Sequence, residues 1–174
     1  MLKKVNDKRM KIIINVSVPV IVYVIYTAAV FLLPMVEDEV RKIEIIIMLA
    51  IASISDIRTQ NIPLTACIAI LGINVIRSVL VLFYAMSWIT SFVVLVIFIA
   101  IYAINKDLIG LGDIFLAAVC VQSLMPEDII KFLFMAFAFS SFIGFFKCLK
   151  TKSLSNITVP MSPCVAVSFL LFII

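Results

Sequence analysis

Apolar runs that approach or exceed the ~18 residues of a transmembrane helix recur along this chain, and they limit its folding more than any other feature. Charged residues are only 14 % of the total, against roughly 25 % in a soluble domain, and most lie between the runs. The polar stretches are too short to fold alone. Backbone amides and carbonyls in hydrocarbon must be satisfied within the segment, which helices achieve. The expectation is an all-α, polytopic helical membrane protein with about seven transmembrane helices.

The runs place spans at Ile12–Leu33, from Ile43 past Asp56 toward Asn61, Pro63–Met86, Ser87–Ile104, Leu108–Met125, Ile129–Phe146 and Val159–Ile174. Pro19 predicts a local kink that neighbouring helices accommodate. Pro63 suits the first turn of a helix, where its missing N–H does no harm. The intervening segments read as an acidic loop over Pro34–Lys42, a turn at Asn105–Asp107, a tight connection at Pro126-Glu127-Asp128 and a polar loop over Lys147–Asn156. Lys3, Lys4, Lys8, Arg9 and Lys11 resemble the basic start of a signal peptide. The run that follows is too long and lacks a small-residue cleavage site, so it reads as a retained span.

Loop charge sets the orientation, because lysine and arginine favour the cytoplasm. With the N-terminus inside, inner segments hold those five residues with Arg58, Lys106, Lys147, Lys150 and Lys152, whereas outer ones hold Arg41, Lys42 and Lys131. The N-terminus is therefore expected in the cytoplasm and the C-terminus outside. The span ending near Asn61 then runs inward and the span starting at Leu108 runs outward. At ~1.5 Å per residue, Asp56 and Asp113 both fall on the order of 7 Å below the cytoplasmic edge.

An ionisable group at membrane depth is costly and usually functional. Asp113 also stands in Gly110-Leu111-Gly112-Asp113, which holds two of the four glycines of the chain. Glycine removes bulk and permits backbone conformations closed to other residues, so Gly110 and Gly112 are expected to allow close backbone approach and a break in helical geometry. The plainer role for both is tight helix packing. Two carboxyl groups sharing a proton can hydrolyse a peptide: one activates water while the other protonates the oxyanion and the leaving amine. The pair titrates as a unit, so neither aspartate is fixed as base or acid.

Other chemistries are excluded or unsupported. Histidine is absent, which removes Ser-His and Cys-His catalysis and histidine metal sites. Cys67, Cys120, Cys148 and Cys164 form no CxxC pair; zinc needs clustered ligands, and buried cysteines pack as small hydrophobes. No metal, cofactor or disulfide framework is expected. The net charge of +4 flanks hydrophobic spans, which favours a bilayer partner over nucleic acid.

Three elements in order carry a family resemblance. Ser55-Asp56-Ile57-Arg58-Thr59-Gln60-Asn61-Ile62-Pro63 resembles the first aspartate motif of type IV prepilin peptidases, in which Ile-Pro follows an aspartate. Gly110-Leu111-Gly112-Asp113 resembles their GxGD motif. Val159-Pro160-Met161-Ser162-Pro163 is similar to the Pro-aromatic-x-Pro stretch that opens their last span. The resemblance covers roughly residues 43–174, as a six-helix GxGD protease core. Residues 1–42 add a basic cytoplasmic N-terminus, an extra helix and an outer loop.

The resemblance implies a membrane aspartic endopeptidase that removes the short basic leader of type IV pilin-like precursors at the cytoplasmic face of a prokaryotic plasma membrane. Asp56 and Asp113 carry over as the catalytic pair, and Gly110, Gly112, Pro63, Pro160 and Pro163 as motif support. Phe115 stands where many members have lysine, and Met161 where an aromatic is common. The cytoplasmic cysteine-bearing region of the large bacterial enzymes has no counterpart, so N-methyltransferase activity is not expected. The short form is closer to archaeal preflagellin peptidases and to the enzymes of tight-adherence pili.

Other polar residues read structurally. Arg77, deep in its span, is expected to pair with Glu44, Glu127 or Asp128, or to snorkel outward. Arg58 reads as a topogenic charge, Asp107 as a turn cap, and Ser140 with Gly144 as a small-residue helix contact. Two rivals remain. A signal-peptide-peptidase or presenilin-like protease shares GxGD, but its Tyr-Asp and Pro-Ala-Leu motifs are missing. The other is a transporter or assembly factor whose aspartates relay protons or pack helices.

Overall fold

A computed structural model describes residues 2–81, 83–105, 109–151 and 159–173, without the side chains of 2–16 and 150–151. Among these residues the chain is entirely helical, with seven helices: α1 (Leu2–Leu32), α2 (Glu37–Thr59), α3 (Leu64–Leu80), α4 (Ala85–Ile104), α5 (Leu111–Gln122), α6 (Pro126–Thr151) and α7 (Ser162–Ile173). By length and composition, two are long and apolar enough to cross a membrane: Ala85–Ile104 and the Pro126–Leu149 portion of α6.

The helices match the expected spans in number and order but not in length. α1 starts ten residues earlier than the apolar run and continues through Pro19. The acidic segment is mostly helix: Glu37, Asp38 and Glu39 form the first turn of α2, where carboxylates complement the positive end of the helix dipole. They also meet bases one turn on, with Arg41–Asp38 at 2.7 Å and Lys42–Glu39 at 2.9 Å. Pro126-Glu127-Asp128 likewise begins α6 instead of forming a connection, and α6 runs on into the expected loop as far as Thr151. Pro63 is the N-cap of α3, one position before its first turn. The expected turn at Lys106-Asp107, the remaining loop residues 152–158 and Ile174 lie outside the described residues.

α5 is the inner helix. From Ile114 to Gln122 every residue except Phe115 is buried, and α3, α4 and α7 pack around it. A short, all-round apolar helix suits such a position. α2 packs on α7, α1 lies across α3 and α2, and α6 covers α7. Phe132 of α6 meets Phe169 of α7 edge-on at 6.2 Å, and Phe98 of α4 meets Phe137 of α6 at 5.7 Å; such geometry is worth about 0.5–1.5 kcal/mol beyond burial. Gly72 makes the α1–α3 contact possible. A side chain there would run into the ring of Tyr23, whose hydroxyl donates to Ile68 O at 2.6 Å.

Buried polar groups tie α3 and α4 to α5. Asn74 donates to Val119 O at 3.2 Å and accepts from Ser123 Oγ at 3.0 Å, while Ser91 donates to Ala118 O at 2.8 Å. Cys67, Cys120 and Cys164 are buried free thiols, as expected of small packing residues.

Arg77 does not take the expected partners. It reaches Asp38 at 3.3 Å and Glu37 at 3.7 Å, both in the first turn of α2, because α2 and α3 run side by side in opposite directions. Asp128 instead binds Lys131 at 2.9 Å. Glu44 is buried, and neither of its carboxyl oxygens has a hydrogen-bond partner.

Candidate active site

Two helix ends present the two aspartates. Asp56 sits in the last turn of α2, three residues before Thr59, and Asp113 is the third residue of α5. Each lies within about one turn, some 5 Å of rise, of a helix end. Asp56 is 6 % exposed and Asp113 is partly buried. The first turn of α7 reaches Asp56 through the Ser162 amide, and the segment that follows Asp56 packs on Gly112, beside Asp113. Sequence order separates these groups widely; the fold brings them to one place.

Each carboxylate meets the start of a helix. Asp113 occupies the third position of α5, and its carboxylate lies beside the N-cap, Gly110. That is where the carboxylate of a capping box stands, next to donors otherwise left open at a helix start. Its Oδ1 is buried with no hydrogen-bond partner among the described residues, a condition that native proteins rarely tolerate without a functional reason. Asp56 stands at the negative end of its own helix, which disfavours a carboxylate by about 0.3–1 kcal/mol. α7 offsets this: the Ser162 N–H, one of its open first-turn donors, binds Asp56 Oδ2 at 3.0 Å.

The glycines supply space, not unusual backbone. No described glycine has positive φ, and Gly110 is extended at φ −76°, ψ 146°, so the expected conformational freedom is not used. A Cβ on Gly110 would stand 3.0 Å from Asp113 Oδ2, and one on Gly112 3.1 Å from Ile62 Cβ. Gly110 clears the carboxylate. Gly112 lets the start of α5 close on the segment that leaves Asp56.

That segment is tightly knit. Gln60 takes the left-handed conformation at φ 52°, ψ 33°, and its N–H binds Asp56 O at 2.8 Å, ending α2. Ser55 Oγ donates to Asn61 O at 3.1 Å, and Asn61 Nδ2 donates to Thr59 O at 3.0 Å. Ile62 then packs on Gly112, and Pro63 opens α3. On the far side Pro160 precedes α7 and Pro163 lies in its first turn. Gly144 of α6 faces Val159, in the segment before α7, with a Cβ clearance of 3.3 Å. Arg58 and Phe115 are exposed, whereas Met161 is buried.

Two contributors had no place among the expected site residues. Ser162 acts through its backbone amide, which no side-chain pattern marks, although Pro160 and Pro163 frame it. Ile62 acts through its bulk opposite Gly112, and its position just before Pro63 was the available signal.

Taken together, the site and fold define a class: a protein, all-helical among the described residues, with two buried or half-buried aspartates at one end of the bundle. The chain belongs to the type IV leader peptidase family, whose model matches residues 43–148. Membership identifies it as a protease-type protein of a membrane-associated family that processes pilin-like precursors. No curated protein and no solved structure is significantly similar to it.

Proposed function

We propose that this protein is an aspartic endopeptidase that cleaves the short basic leader from type IV pilin-like precursors at the cytoplasmic face of a prokaryotic plasma membrane. The observation that carries the reading is the placement of Asp56 and Asp113 at the same end of the bundle, from helices far apart in sequence, with the segment after Asp56 packed on Gly112 and Asp113 Oδ1 buried without a partner among the described residues. One carboxylate takes a proton from water as it attacks the scissile carbonyl. The other delivers its proton to the tetrahedral oxygen; the first then passes the proton it took from water to the leaving amine, and the tetrahedral hydroxyl returns a proton to the pair as the C–N bond breaks. The extended backbone at Gly110, which carries no side chain, gives an unwound substrate a place to approach.

Residues 43–174 serve as the catalytic core and residues 1–42 as an added cytoplasmic start, helix and outer connection. A polytopic arrangement is supported by where the apolar surface lies. Only 11 % of the apolar window of α4 and 17 % of that of α6 is buried, whereas an apolar helix at the core of a soluble protein would be mostly enclosed. Ile130, Phe134, Phe92 and Phe142 are each more than 60 % exposed, which suits lipid and not water. With the N-terminus inside, the aspartates face the cytoplasm and α7 ends outside. Non-helical backbone around Gln60–Pro63 and Gly110 fits such a depth where it lines a polar cavity.

The test is cleavage of a pilin-like precursor in membranes containing wild type, Asp56→Asn or Asp113→Asn. Each substitution keeps side-chain volume and removes the ionisable proton, so leader removal should fall by at least about 10³-fold. Cleavage that survives in both well-expressed variants refutes the assignment.

A further inference from the structure

At the end of the bundle opposite the aspartates, a cavity of about 450 Å³ opens between the start of α2, the ends of α3, α5 and α7, and the start of α4. Arg41, Lys42 and Arg77 line it against one carboxylate, Asp38. All three bases contact Asp38, at 2.7, 3.4 and 3.3 Å, the one carboxylate that lines the cavity with them. Glu39 and Glu37, the other acids nearby, pair with Lys42 and Arg77 but do not line the cavity. Glu37 also accepts the Tyr26 hydroxyl.

Two further features make the cavity a receptor for negative charge. Gln122 lines it at 7 % exposure, and its Nε2 is buried without a hydrogen-bond partner among the described residues. Its Oε1 already accepts from Asn74, which fixes the amide with its donor uncommitted. A buried donor left unpaired costs about 1–3 kcal/mol. Tyr84 and Ser87, at the start of the 20-residue α4, also line the cavity, and no side chain caps that helix. An uncapped helix start presents open N–H groups and the positive end of a dipole. Phe172, Ile173 and Met125 complete an apolar wall.

We propose that this cavity binds a phosphate-type anion, held by Arg41, Lys42, Arg77, Gln122 Nε2 and the α4 start. Two sources share that chemistry: the phosphodiester of an anionic lipid, whose chains would follow the apolar wall, and free inorganic phosphate. The site stands independently of the peptidase reading. It lies on the order of 14–27 Å along α5 and α2 from the aspartates, yet joins the far ends of the two helices that carry them.

The experiment uses the full chain purified in dodecyl maltoside, with thermal unfolding and the fluorescence of Trp88, the single tryptophan, as readouts. Phosphatidylglycerol is compared with phosphatidylcholine at equal mole fraction, and inorganic phosphate is titrated into lipid-free micelles. A filled site should raise the midpoint by roughly 5 °C near saturation. A rise with phosphatidylglycerol alone assigns the lipid headgroup, and a rise with phosphate as well assigns a site open to the free anion. The shift should vanish in Lys42→Gln, a change at a partly exposed side chain compatible with folding, and weaken in Gln122→Met. Lys131→Gln, on exposed α6, should retain it. Equal shifts with both lipids and none with phosphate, or a shift unchanged in Lys42→Gln and Gln122→Met, would overturn the proposal.

Discussion

Replacing Gly112 by alanine isolates the link between the two aspartate-bearing segments. The new methyl would stand 3.1 Å from Ile62 Cβ and 3.5 Å from its Cγ1 and Cδ1. The first distance is about 0.3 Å short of ordinary contact. Overpacking costs about 1–3 kcal/mol, and so small an overlap belongs at the low end. The gain in helix propensity from glycine to alanine is up to about 1 kcal/mol, so overall stability should change by less than about 1 kcal/mol. The geometry does not cancel in the same way. The overlap pushes Ile62, and with it the segment tied to Asp56, away from Asp113. A misplacement of about 1 Å costs on the order of 10²-fold in rate, so a third of that should cost about 5-fold. Initial rates of precursor cleavage, measured beside the thermal midpoint, separate the two effects. Ile62→Gly in the same chain removes the Cβ that the methyl overlaps and should restore most of the rate. Activity within 2-fold of wild type, about 0.4 kcal/mol, would show that the Gly112–Ile62 clearance does not set the spacing of the carboxylates.

Three further outcomes are expected. Gln60→Gly should unfold at a higher midpoint than Gln60→Val by about 2 kcal/mol in stability, because a β-branched residue is poorly suited to φ 52°; equal midpoints would contradict the left-handed helix end. Gly72→Ala should destabilise by about 1–3 kcal/mol, since its methyl meets the Tyr23 ring, and Tyr23→Ala in the same chain should recover part of the loss; denaturant midpoints decide it. Burial raises the Asp38 carboxyl, but the Arg41 hydrogen bond and the charges of Arg41, Arg77 and Lys42 hold it below its ordinary 3.8. A depressed carboxylate stabilises the fold above its unfolded value, and the contribution fades as pH falls through the folded one. With that carboxylate 45 % exposed, solvent screening limits the cost of Asp38→Asn to about 0.5–1 kcal/mol at neutral pH, and midpoints of the two proteins should converge below about pH 4.

Much of the arrangement is legible in the sequence because hydrocarbon-like runs and helix ends leave marks. The positions of Asp56 and Asp113 near facing helix ends follow from run boundaries, and both are found within a turn of such ends. Element lengths were less accessible. Glu37-Asp38-Glu39 has the composition of a loop, but the helix dipole and the bases at Arg41 and Lys42 make it a first turn. α5 is shorter than its apolar run, since Gly110 is extended and the helix begins only at Leu111. Arg77 shows the limit most clearly. Its partners come from α2, thirty-nine and forty residues earlier, and only antiparallel packing selects them over Glu44. The left-handed turn at Gln60 carries no glycine to announce it.

The amide of Ser162 has a consequence for where this enzyme can be divided. The stretch that matches the leader peptidase family ends at residue 148, yet the hydrogen bond to Asp56 arrives from α7, beyond that limit. A fragment cut to the recognisable boundary would keep both aspartates and lose the donor that steadies one of them. Supplying α7 as a separate peptide should then complement the fragment, because its first turn brings the missing N–H and its length restores the wall against α2. The unit that can be transplanted is thus longer than the unit that can be recognised, and grafts between relatives should exchange α2 and α7 together.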